Sequence, residues 1–530
     1  MEALSWLWEA KIQHSELTRA ALTFSLIIIA ISWCIWVRKK QVHKLPPGPP
    51  GLPIVGNIPF IDPELHKYFA KLTTKYGPIF KLKLGSKLLI VLGSPELAAV
   101  VMKELDSTFA NRAPTVAGMT VGYNGSDMVF VDYGPHLRNV RALCVREILS
   151  KSALDSFSAL RQQEVRRCVR SLYAKVHTPV NIRDEMFLIM LNVITNMMWG
   201  GTFNDEEKIE IGLEFRKRAE KVLDYLGRTN ISDFLPVLAR FDLQGVERRL
   251  KELISWLDPF FESMIDKRMK LDQEIKLNGD QDGKENKVKD FLQVFQQLQD
   301  QGESKVPFTF TNLKALFMNL VVGGTDTAGG AVEWAMAELI KEPKIMKRAL
   351  EELDNVVGKN NIVEESHIPN LPYLGAIIKE TYRLHPGVPL LVSRCPSSTC
   401  NVGGYVIPKG AQVLMNAWAI QRDPKYWDNP LEFKPERFLQ TTSKFDFIGT
   451  DFRYIPFGSG RRRCIGVPLV ERIVPYALAS FLHSFEWRMP EGVEVDLSEK
   501  FGIVLKTSTP LTAIPLPRLP DPNLYAKKEY

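Results

Sequence analysis

The chain has few cysteines for its size, and their spacing excludes two classes of scaffold. Six cysteines occur among 530 residues, and no two of them form a C-x-x-C pair. Structural zinc sites and disulfide-dense domains both need clustered cysteines, so neither class applies. Scattered cysteines are typical of a protein whose main body works in a reducing compartment.

Motifs for binding nucleotides or building a serine nucleophile are also missing. There is no G-x-G-x-x-G opening a helix, no Walker loop and no G-x-S-x-G elbow. We therefore expect no nicotinamide to bind this chain directly. The net charge of +7 is a small excess spread along the sequence. Such an excess suits a membrane surface or an acidic partner, and we predict no nucleic-acid binding.

A long apolar segment lies near the N-terminus. Residues 20–37 carry no charge, and Arg38, Lys39 and Lys40 follow at once. A helix of that length spans about 27 Å, close to the thickness of a hydrocarbon core, and the basic cluster places its C-terminal side in the cytosol. A cleaved signal peptide is the alternative, but a small-residue cleavage site is missing. We predict that residues 1–37 contain an uncleaved membrane anchor.

The next segment, residues 38–53, is first basic and then rich in proline. Proline fixes φ and removes a hydrogen-bond donor, so this segment is predicted to be a stiff hinge that no helix crosses. No repeat and no second linker follows, which predicts one catalytic domain over residues 54–530. Its periodicity indicates a mainly α fold with a small β component.

Particular stretches of that domain carry the periodicity. The predicted helices are Ser94–Glu104, Glu164–Ala174, Val246–Met269, Thr311–Ile340 and Lys344–Val357. The predicted strands are Ile79–Leu84, Leu88–Leu92 and Gln412–Met415. The charged stretch Lys270–Lys289, with Gly, Asn and Asp interleaved, is predicted to be a solvated loop.

The strongest chemical signal is the sequence Phe-Gly-Ser-Gly-Arg-Arg-Arg-Cys-Ile-Gly at residues 457–466, which we name the cysteine loop. Its glycines permit a tight turn and a close approach to a flat ligand. A cysteine held by backbone amides beside arginines is expected to be a thiolate, the form that binds metal. A lone cysteine is usually a plain buried residue, but this surrounding sequence favours a ligand.

The cysteine loop resembles the haem-binding signature of the cytochrome P450 family. The five positions of that signature are filled by Phe457, Gly460, Arg462, Cys464 and Gly466. The resemblance implies the cytochrome P450 fold and a haem b whose iron is bound by Cys464. It also implies that Phe457 shields the sulfur and that Arg462 pairs with a haem propionate.

A second segment, Glu380-Thr381-Tyr382-Arg383, resembles the Glu-x-x-Arg of the same family. Helical spacing places Glu380 and Arg383 on one face. Taken alone, they would be a surface pair of little energetic value. The resemblance implies that they form a buried ion network with Arg437 and that this network holds the haem-side loop.

The third segment, Gly323-Gly324-Thr325-Asp326-Thr327, lies within a long apolar stretch. Two glycines inside a helix cost about 1 kcal/mol each relative to alanine, so something must compensate. A packing notch is one explanation. The resemblance implies another, a widened turn that admits dioxygen, with Asp326 and Thr327 relaying protons.

Two further arginines match positions that bind haem propionates in the family. Arg394 follows Ser393, where the family usually has proline. Arg141 keeps its position, but Leu137 replaces the family's tryptophan. The loss of the indole donor either weakens haem retention or leaves Arg138 to compensate.

The resemblance also predicts partners. Electrons are expected from NADPH through a separate flavoprotein, the NADPH–cytochrome P450 reductase, which would dock near Arg138, Arg141, Arg461 and Arg463. The chain is expected in the endoplasmic reticulum membrane with its catalytic domain in the cytosol. A non-catalytic haem sensor or electron carrier is the alternative from another class, and the presence of Asp326 and Thr327 disfavours it.

The substrate pocket is predicted to be apolar. Its predicted residues are Val116, Met119, Phe317, Val321, Gly324, Val388, Leu391 and Ile503. A wall without carboxylate or lysine suits a small neutral substrate, since burying a charge there is unfavourable. The sequence of residues 230–245 and 321–334 resembles that of plant microsomal enzymes, especially sesquiterpene hydroxylases that act on cadinene-type hydrocarbons. Terpenoid hydroxylation is therefore the first expectation, and flavonoid or phenolic oxidation is the alternative.

Overall fold

The computed structural model describes residues 23–25, 28, 45–200, 205–277, 289–301, 308–439 and 445–526. The predicted anchor at residues 20–37 lies almost wholly outside these ranges. Within them, no helix is both long enough and apolar enough to cross a bilayer.

Helices dominate the described part of the chain. In chain order they are α1 (Leu65–Tyr76), α2 (Pro95–Ala99), α3 (Val116–Val121), α4 (Pro135–Glu147), α5 (Lys151–Ser156), α6 (Ser158–Ala174), α7 (Ile182–Trp199), α8 (Asp205–Gly227), α9 (Ile231–Phe234), α10 (Val246–Leu277), α11 (Phe291–Gln301), α12 (Phe310–Lys341), α13 (Pro343–Val356), α14 (Pro372–Leu384), α15 (Ala417–Ile420), α16 (Val467–Ser484) and α17 (Asn523–Ala526). One π-helical turn, Val100–Glu104, continues α2.

The strands are short and form small sheets. They are β1 (Ile79–Leu84), β2 (Lys87–Leu92), β3 (Val180–Asn181), β4 (Cys400–Val402), β5 (Tyr405–Ile407), β6 (Gln412–Met415), β7 (Phe485–Arg488), β8 (Glu499–Lys500), β9 (Lys506–Thr507) and β10 (Thr512–Pro517). β2 pairs with β1 in antiparallel and with β6 in parallel orientation. β10 lies between β3 and β7, and the pairs β4–β5 and β8–β9 are antiparallel hairpins.

The central element is α12. A capping box begins it, because Thr309 Oγ1 accepts the backbone N–H of Asn312 and Asn312 Oδ1 accepts that of Thr309. Apolar residues then occur on nearly all its faces, which is typical of a helix enclosed by others. It packs against α7, α14 and α16, and this helical core positions the site described below.

The structure differs from the prediction most clearly after Met269. The stretch Lys270–Lys289 was expected to be a loop, but α10 continues to Leu277. Charge there does not mean solvation, since Arg268 donates to Asp272 and to Asp290, each at 2.6 Å, and all three are buried. Residues 278–288 lie outside the described ranges.

Candidate active site

The cysteine loop depends on two glycines with left-handed backbone. Gly458 has φ 67° and Gly460 has φ 71°. A Cβ at Gly460 would lie 2.4 Å from the carbonyl oxygen of Met102 and 2.5 Å from Asp106 Oδ1. No L side chain fits there, so Gly460 lets the loop lie directly against the π-helical turn. The Cys464 N–H then donates to the Phe457 carbonyl oxygen at 3.1 Å.

Cys464 presents its side chain at the surface of the loop, where it is exposed. Protein nevertheless surrounds it on most sides, and burial raises the pKa of its thiol. The Gly466 N–H and the Arg141 charge act in the opposite direction. Burial thus opposes the expected thiolate, whereas the backbone amide and the nearby arginine favour it, and the thiolate stays a prediction. A bound metal ion would deprotonate the sulfur, as metals do with coordinating thiols.

The open face of α12 passes through Gly323 and Thr327. Gly323 is exposed although the helix around it is mostly buried, and no atom lies within 4 Å of the place a Cβ would take. Thr327 Oγ1 donates to the Gly323 carbonyl oxygen at 2.8 Å. This hydrogen bond does not by itself widen the helical turn that was expected to admit dioxygen. It does fix the Thr327 hydroxyl on the open face of α12.

Asp326 points away from that face into a buried ion network. Arg183 Nε on α7 donates to its Oδ1 at 3.0 Å, and Arg183 Nη1 lies 3.0 Å from Glu333. Lys506 Nζ lies 3.7 Å from Asp326 Oδ2. Although burial opposes ionisation, the charges of Arg183 and Lys506 hold the pKa of Asp326 below its usual value. Asp326 is therefore anionic and tethered.

A cluster of three arginines lies beside the cysteine loop: Arg112 and Arg462 are buried, and Arg141 is partly exposed. Arg462 donates to the carbonyl oxygens of Ala110, Met128 and Val131. Arg112 Nη1 donates to that of Val392 at 2.8 Å, and Arg141 Nη2 to that of Arg463 at 2.8 Å. Among the described residues, no carboxylate forms an ion pair with Arg112, Arg141 or Arg462.

The electrostatics of this arginine cluster indicate a missing anion. Burial and the charges of Arg141 and Arg394 lower the pKa of Arg462 to about 10. Burial and the charge of Arg462 also lower the pKa of Arg112. Buried like charges are unfavourable unless they meet a counter-ion. The two propionates of a haem would supply the carboxylates that this cluster lacks.

Arg394 is placed beside the loop but has another partner. Its Nη1 lies 3.0 Å from Asp106 Oδ1 and its Nη2 donates to the Ser459 carbonyl oxygen at 2.7 Å. Asp106 also accepts the Arg461 N–H at 2.9 Å. Arg394 therefore helps to fix the loop, and its expected contact with a haem propionate stays a prediction. Arg138 is exposed and lies over the Tyr133 ring, 5.7 Å from its centroid.

These features together fit a haem. The sulfur of Cys464, the open surface at Gly323 and the unpaired arginine cluster match the thiolate, flat macrocycle and propionates of that group. Cys464 would hold the iron, and Arg112, Arg141 and Arg462 would hold the carboxylates. When bound, the haem supplies the activation of dioxygen.

The Glu-x-x-Arg segment lies on α14 and forms the expected network. Glu380 and Arg383 are fully buried, and two hydrogen bonds of 2.7 and 2.8 Å join them. Arg437 Nε donates to Glu380 Oε1 at 3.2 Å. Arg383 Nη1 also donates hydrogen bonds to the carbonyl oxygens of Gln421 and Pro430. The three side chains are brought together as the sequence predicted.

Three predicted pocket residues of α12 lie on the wrong face. Phe317 and Val321 have no exposed surface, and the Phe317 ring centroid is 5.1 Å from that of Trp199. A Cβ on Gly324 would meet Ile194 at 2.7 Å. Spacings of four and three residues place all three on one helical stripe, which packs on α7. The other predicted pocket residues are partly exposed: Val116, Met119, Val388, Leu391 and Ile503.

Sequence reasoning missed several residues of this site. Arg183, Lys506 and Asp106 were not predicted. Their sequence separations explain this, since Arg183 and Asp326 are 143 residues apart. The one signal in the sequence was that these residues are charged and stand among apolar neighbours, as Lys506 does in Leu-Lys-Thr.

Comparison with known proteins agrees with this geometry. The chain matches the cytochrome P450 family over residues 46–513. It is 38% identical to a flavonoid 3',5'-hydroxylase from Solanum melongena, over 95% of this chain and 97% of that one. It is 39% identical to a flavonoid 3'-monooxygenase from Crocosmia x crocosmiiflora, over 91% and 94%. A 3,9-dihydroxypterocarpan 6A-monooxygenase from Glycine max is 37% identical over 94% and 97%.

The fold has solved counterparts too. A zebrafish cytochrome P450 with progesterone superposes with a TM-score of 0.71 at 26% identity, over 86% of this chain and 100% of that one. The same comparison with an abiraterone complex gives a TM-score of 0.68, over 86% and 99%. The chain therefore belongs to the cytochrome P450 family and is a haem-thiolate monooxygenase that receives its electrons from a separate reductase.

Proposed function

We propose that this monooxygenase hydroxylates a flavonoid or a related phenolic. The observation that carries the proposal is the agreement of relatives that match more than nine-tenths of the chain and are named as flavonoid hydroxylases. The terpenoid substrate that the sequence first favoured has no such support. Phenolic oxidation, which was the alternative expectation from the sequence, is therefore the first proposal.

The pocket residues are compatible with a flat aromatic substrate. Val116 and Met119 lie on α3, and Val388, Leu391 and Ile503 come from later loops. Their side chains are apolar and partly exposed, so they would desolvate a neutral ring without burying an unpaired charge. Thr327 and Asp326 are proposed to relay the protons that the reaction consumes, Thr327 through its Oγ1 hydroxyl and Asp326 through its carboxylate, which is anionic at rest and accepts each proton before passing it on.

Product formation by membranes tests the substrate. Membranes carrying the chain and a plant reductase would receive NADPH, with a flavanone, a flavonol, a pterocarpan and a sesquiterpene hydrocarbon as separate substrates. We expect mass spectrometry to find one added oxygen on a phenolic, and no product with the matched Cys464→Ala chain. An oxygenated terpene alone would overturn the proposal. So would no product from any phenolic when the carbon monoxide spectrum is normal.

We also propose that the catalytic domain rests on the endoplasmic reticulum membrane. Exposed apolar side chains occur on two segments, with Ile54 and Phe60 on one and Val237, Phe241 and Leu243 on the other. Both segments contact the turn between β1 and β2, since the Gly85 N–H donates to the Val55 carbonyl and the Ser86 N–H to that of Phe234. The two segments therefore meet at that turn, and we propose that their exposed side chains form one apolar patch.

Vesicle binding tests this patch. A chain that begins at residue 45 lacks the apolar run, so any membrane binding would come from the domain itself. We expect it to sediment with phospholipid vesicles, and the triple change Val237→Ser, Phe241→Ser and Leu243→Ser to reduce that binding at least about tenfold, since each buried apolar side chain contributes about 1.5–3 kcal/mol. The control is Leu431→Ser, a change at an exposed leucine elsewhere on the domain. If the triple variant bound vesicles as well as this control, the proposal would be refuted.

A further inference from the structure

A short hairpin near the C-terminus joins the pocket to the buried charges of α12. Its strands are β8 and β9, in which Lys500 pairs with Lys506. Between them lies the tip, residues 501–505, which includes the pocket residue Ile503. The Leu505 N–H donates to the Gly387 carbonyl oxygen at 2.9 Å. We name residues 499–507 the C-terminal hairpin.

The first end of the hairpin is firmly held. The buried carboxylate of Glu499 accepts from Trp418 Nε1 at 3.0 Å and from Arg422 Nη2 at 2.9 Å, and it lies 3.1 Å from His66 Nε2. Although burial opposes ionisation, hydrogen bonds from His385 and His66 hold the pKa of Glu499 well below its usual value. This end is therefore a fixed point about which the tip is held.

The second end is held by carboxylates on two helices. Lys506 Nζ donates to Glu220 Oε1 on α8 at 3.1 Å and lies 3.9 Å from Asp224. On its other side it is 3.7 Å from Asp326 Oδ2 on α12. Glu220 and Asp224 are about half exposed, whereas Asp326 is buried. Lys506 thus stands between the surface of α8 and the carboxylate beside Thr327.

The tip and α8 contact each other directly. A Cβ at Gly227, the last residue of α8, would lie 2.5 Å from the backbone nitrogen of Ile503. Only glycine allows this approach, and it leaves no gap between the end of α8 and the tip. A displacement of Ile503 must therefore displace the end of α8, the helix that carries Glu220 and Asp224.

Asp326 is tethered through one carboxylate oxygen only. Its Oδ1 accepts a well-formed hydrogen bond from Arg183. Its Oδ2 lies 2.9 Å from Arg183 Nη2 and 3.7 Å from Lys506 Nζ, yet neither contact has hydrogen-bond geometry. A buried carboxylate oxygen without a hydrogen bond is held by charge, here by the charges of Arg183 and Lys506, so movement of the Lys506 ammonium changes the field in which it turns.

We propose that Lys506 is a positioning residue that couples contact between the substrate and Ile503 to the orientation of Asp326. The proposal rests on the monooxygenase function and on a substrate that reaches Ile503. A substrate seated against Ile503 displaces the tip and the end of α8 together. The Lys506 ammonium, three residues away, then changes its distances to Glu220 and to Asp326. Asp326 is released to serve the Thr327 side only when the pocket is filled.

A double-mutant cycle tests this coupling. The variants are Ile503→Ala, Lys506→Met and both together, and the measured quantity is product formed per NADPH, with hydrogen peroxide as the competing outcome. If the two residues act through one linkage, Ile503→Ala lowers that ratio in the natural chain and changes it much less when Lys506 is already Met. We expect the two effects to deviate from additivity by at least about twofold, the lower range for coupled residues. Additive effects would overturn the proposal.

Controls separate positioning from general damage. Lys500→Met changes the paired, exposed lysine of the same hairpin and is expected to leave the ratio unchanged. Lys506→Arg keeps the charge and is expected to restore most of the coupling. Hydrogen exchange provides a readout without turnover at three places: residues 501–505, the end of α8, and the turn of α12 at Asp326. Substrate should change exchange at all three in the natural chain, but only at the first two in Lys506→Met. An equal change at Asp326 in that variant would contradict the linkage.

Failure of the substrate proposal is distinguishable from failure of this one. If no phenolic is oxidised, the cycle is run on any compound that raises NADPH consumption. Peroxide and exchange protection are then measured as before, and each result supports or overturns the coupling by itself.

Discussion

A chain carrying Cys464→His is expected to lose the thiolate-type carbon monoxide spectrum and all detectable hydroxylation. The thiolate of Cys464 would donate electron density to a haem iron and so favour activation of dioxygen, which imidazole would do to a much smaller extent. The loop itself should survive, because Gly458 and Gly460 set its backbone and Arg462 ties it to three carbonyl oxygens. The spectrum of reduced membranes with carbon monoxide is the measurement.

The matched control for this result is Cys400→Ser. Cys400 is partly exposed in β4 and pairs with Ile407 in the β4–β5 hairpin. Its replacement should leave both the spectrum and the activity as they are. A thiolate-type spectrum that persisted in Cys464→His would assign the iron ligand to another cysteine.

Glu380→Gln is expected to have the largest effect on stability. The Glu380 carboxylate pairs with both Arg383 and Arg437, and its Oε1 also accepts the Lys434 N–H at 2.8 Å. Removal of one member of a buried ion network costs about 3–5 kcal/mol, because the remaining charge stays buried without a partner. We expect a lower denaturation midpoint and protein recovered with little haem.

Glu351→Gln is the matched control for that loss. Glu351 also forms an ion pair on a helix, with Lys347 at 3.8 Å, but both side chains are well exposed. Exposed pairs contribute roughly 0–1 kcal/mol, so this change should alter neither stability nor haem content measurably. If Glu380→Gln kept full haem content and stability, the network would not hold the haem-side loop.

The fold was predictable where the chain has one clear period. The strands Ile79–Leu84 and Gln412–Met415 have the predicted bounds, and the helix expected at Thr311–Ile340 extends by one residue at each end. The helix α7 was missed because it is apolar on nearly every face and so lacks an amphipathic stripe. The end of α10 was placed too early because its charged residues pair with residues distant in the sequence, as Arg268 does with Asp290.

The site was predictable where neighbouring residues carry it. The cysteine loop and the Glu380–Arg383 pair are each local, and the structure arranges them as expected. The open face of α12 was not predictable from local sequence, because which residues of a helix face the solvent depends on what packs against it. That packing places Gly323 and Thr327 toward the open side and Phe317 toward Trp199. Long-range partners such as Arg183 leave no mark on the local sequence.

Asp106 also has a consequence for how this protein is made. It binds Arg394 and the backbone of Arg461, residues 288 and 355 positions later in the chain. At about 5–20 residues per second, a ribosome takes roughly 20–70 s to make the stretch between Asp106 and Arg461. The cysteine loop thus finds its final support only when synthesis is nearly complete. Insertion of the cofactor therefore has to wait until late in translation, and a nascent chain halted before residue 461 should bind none.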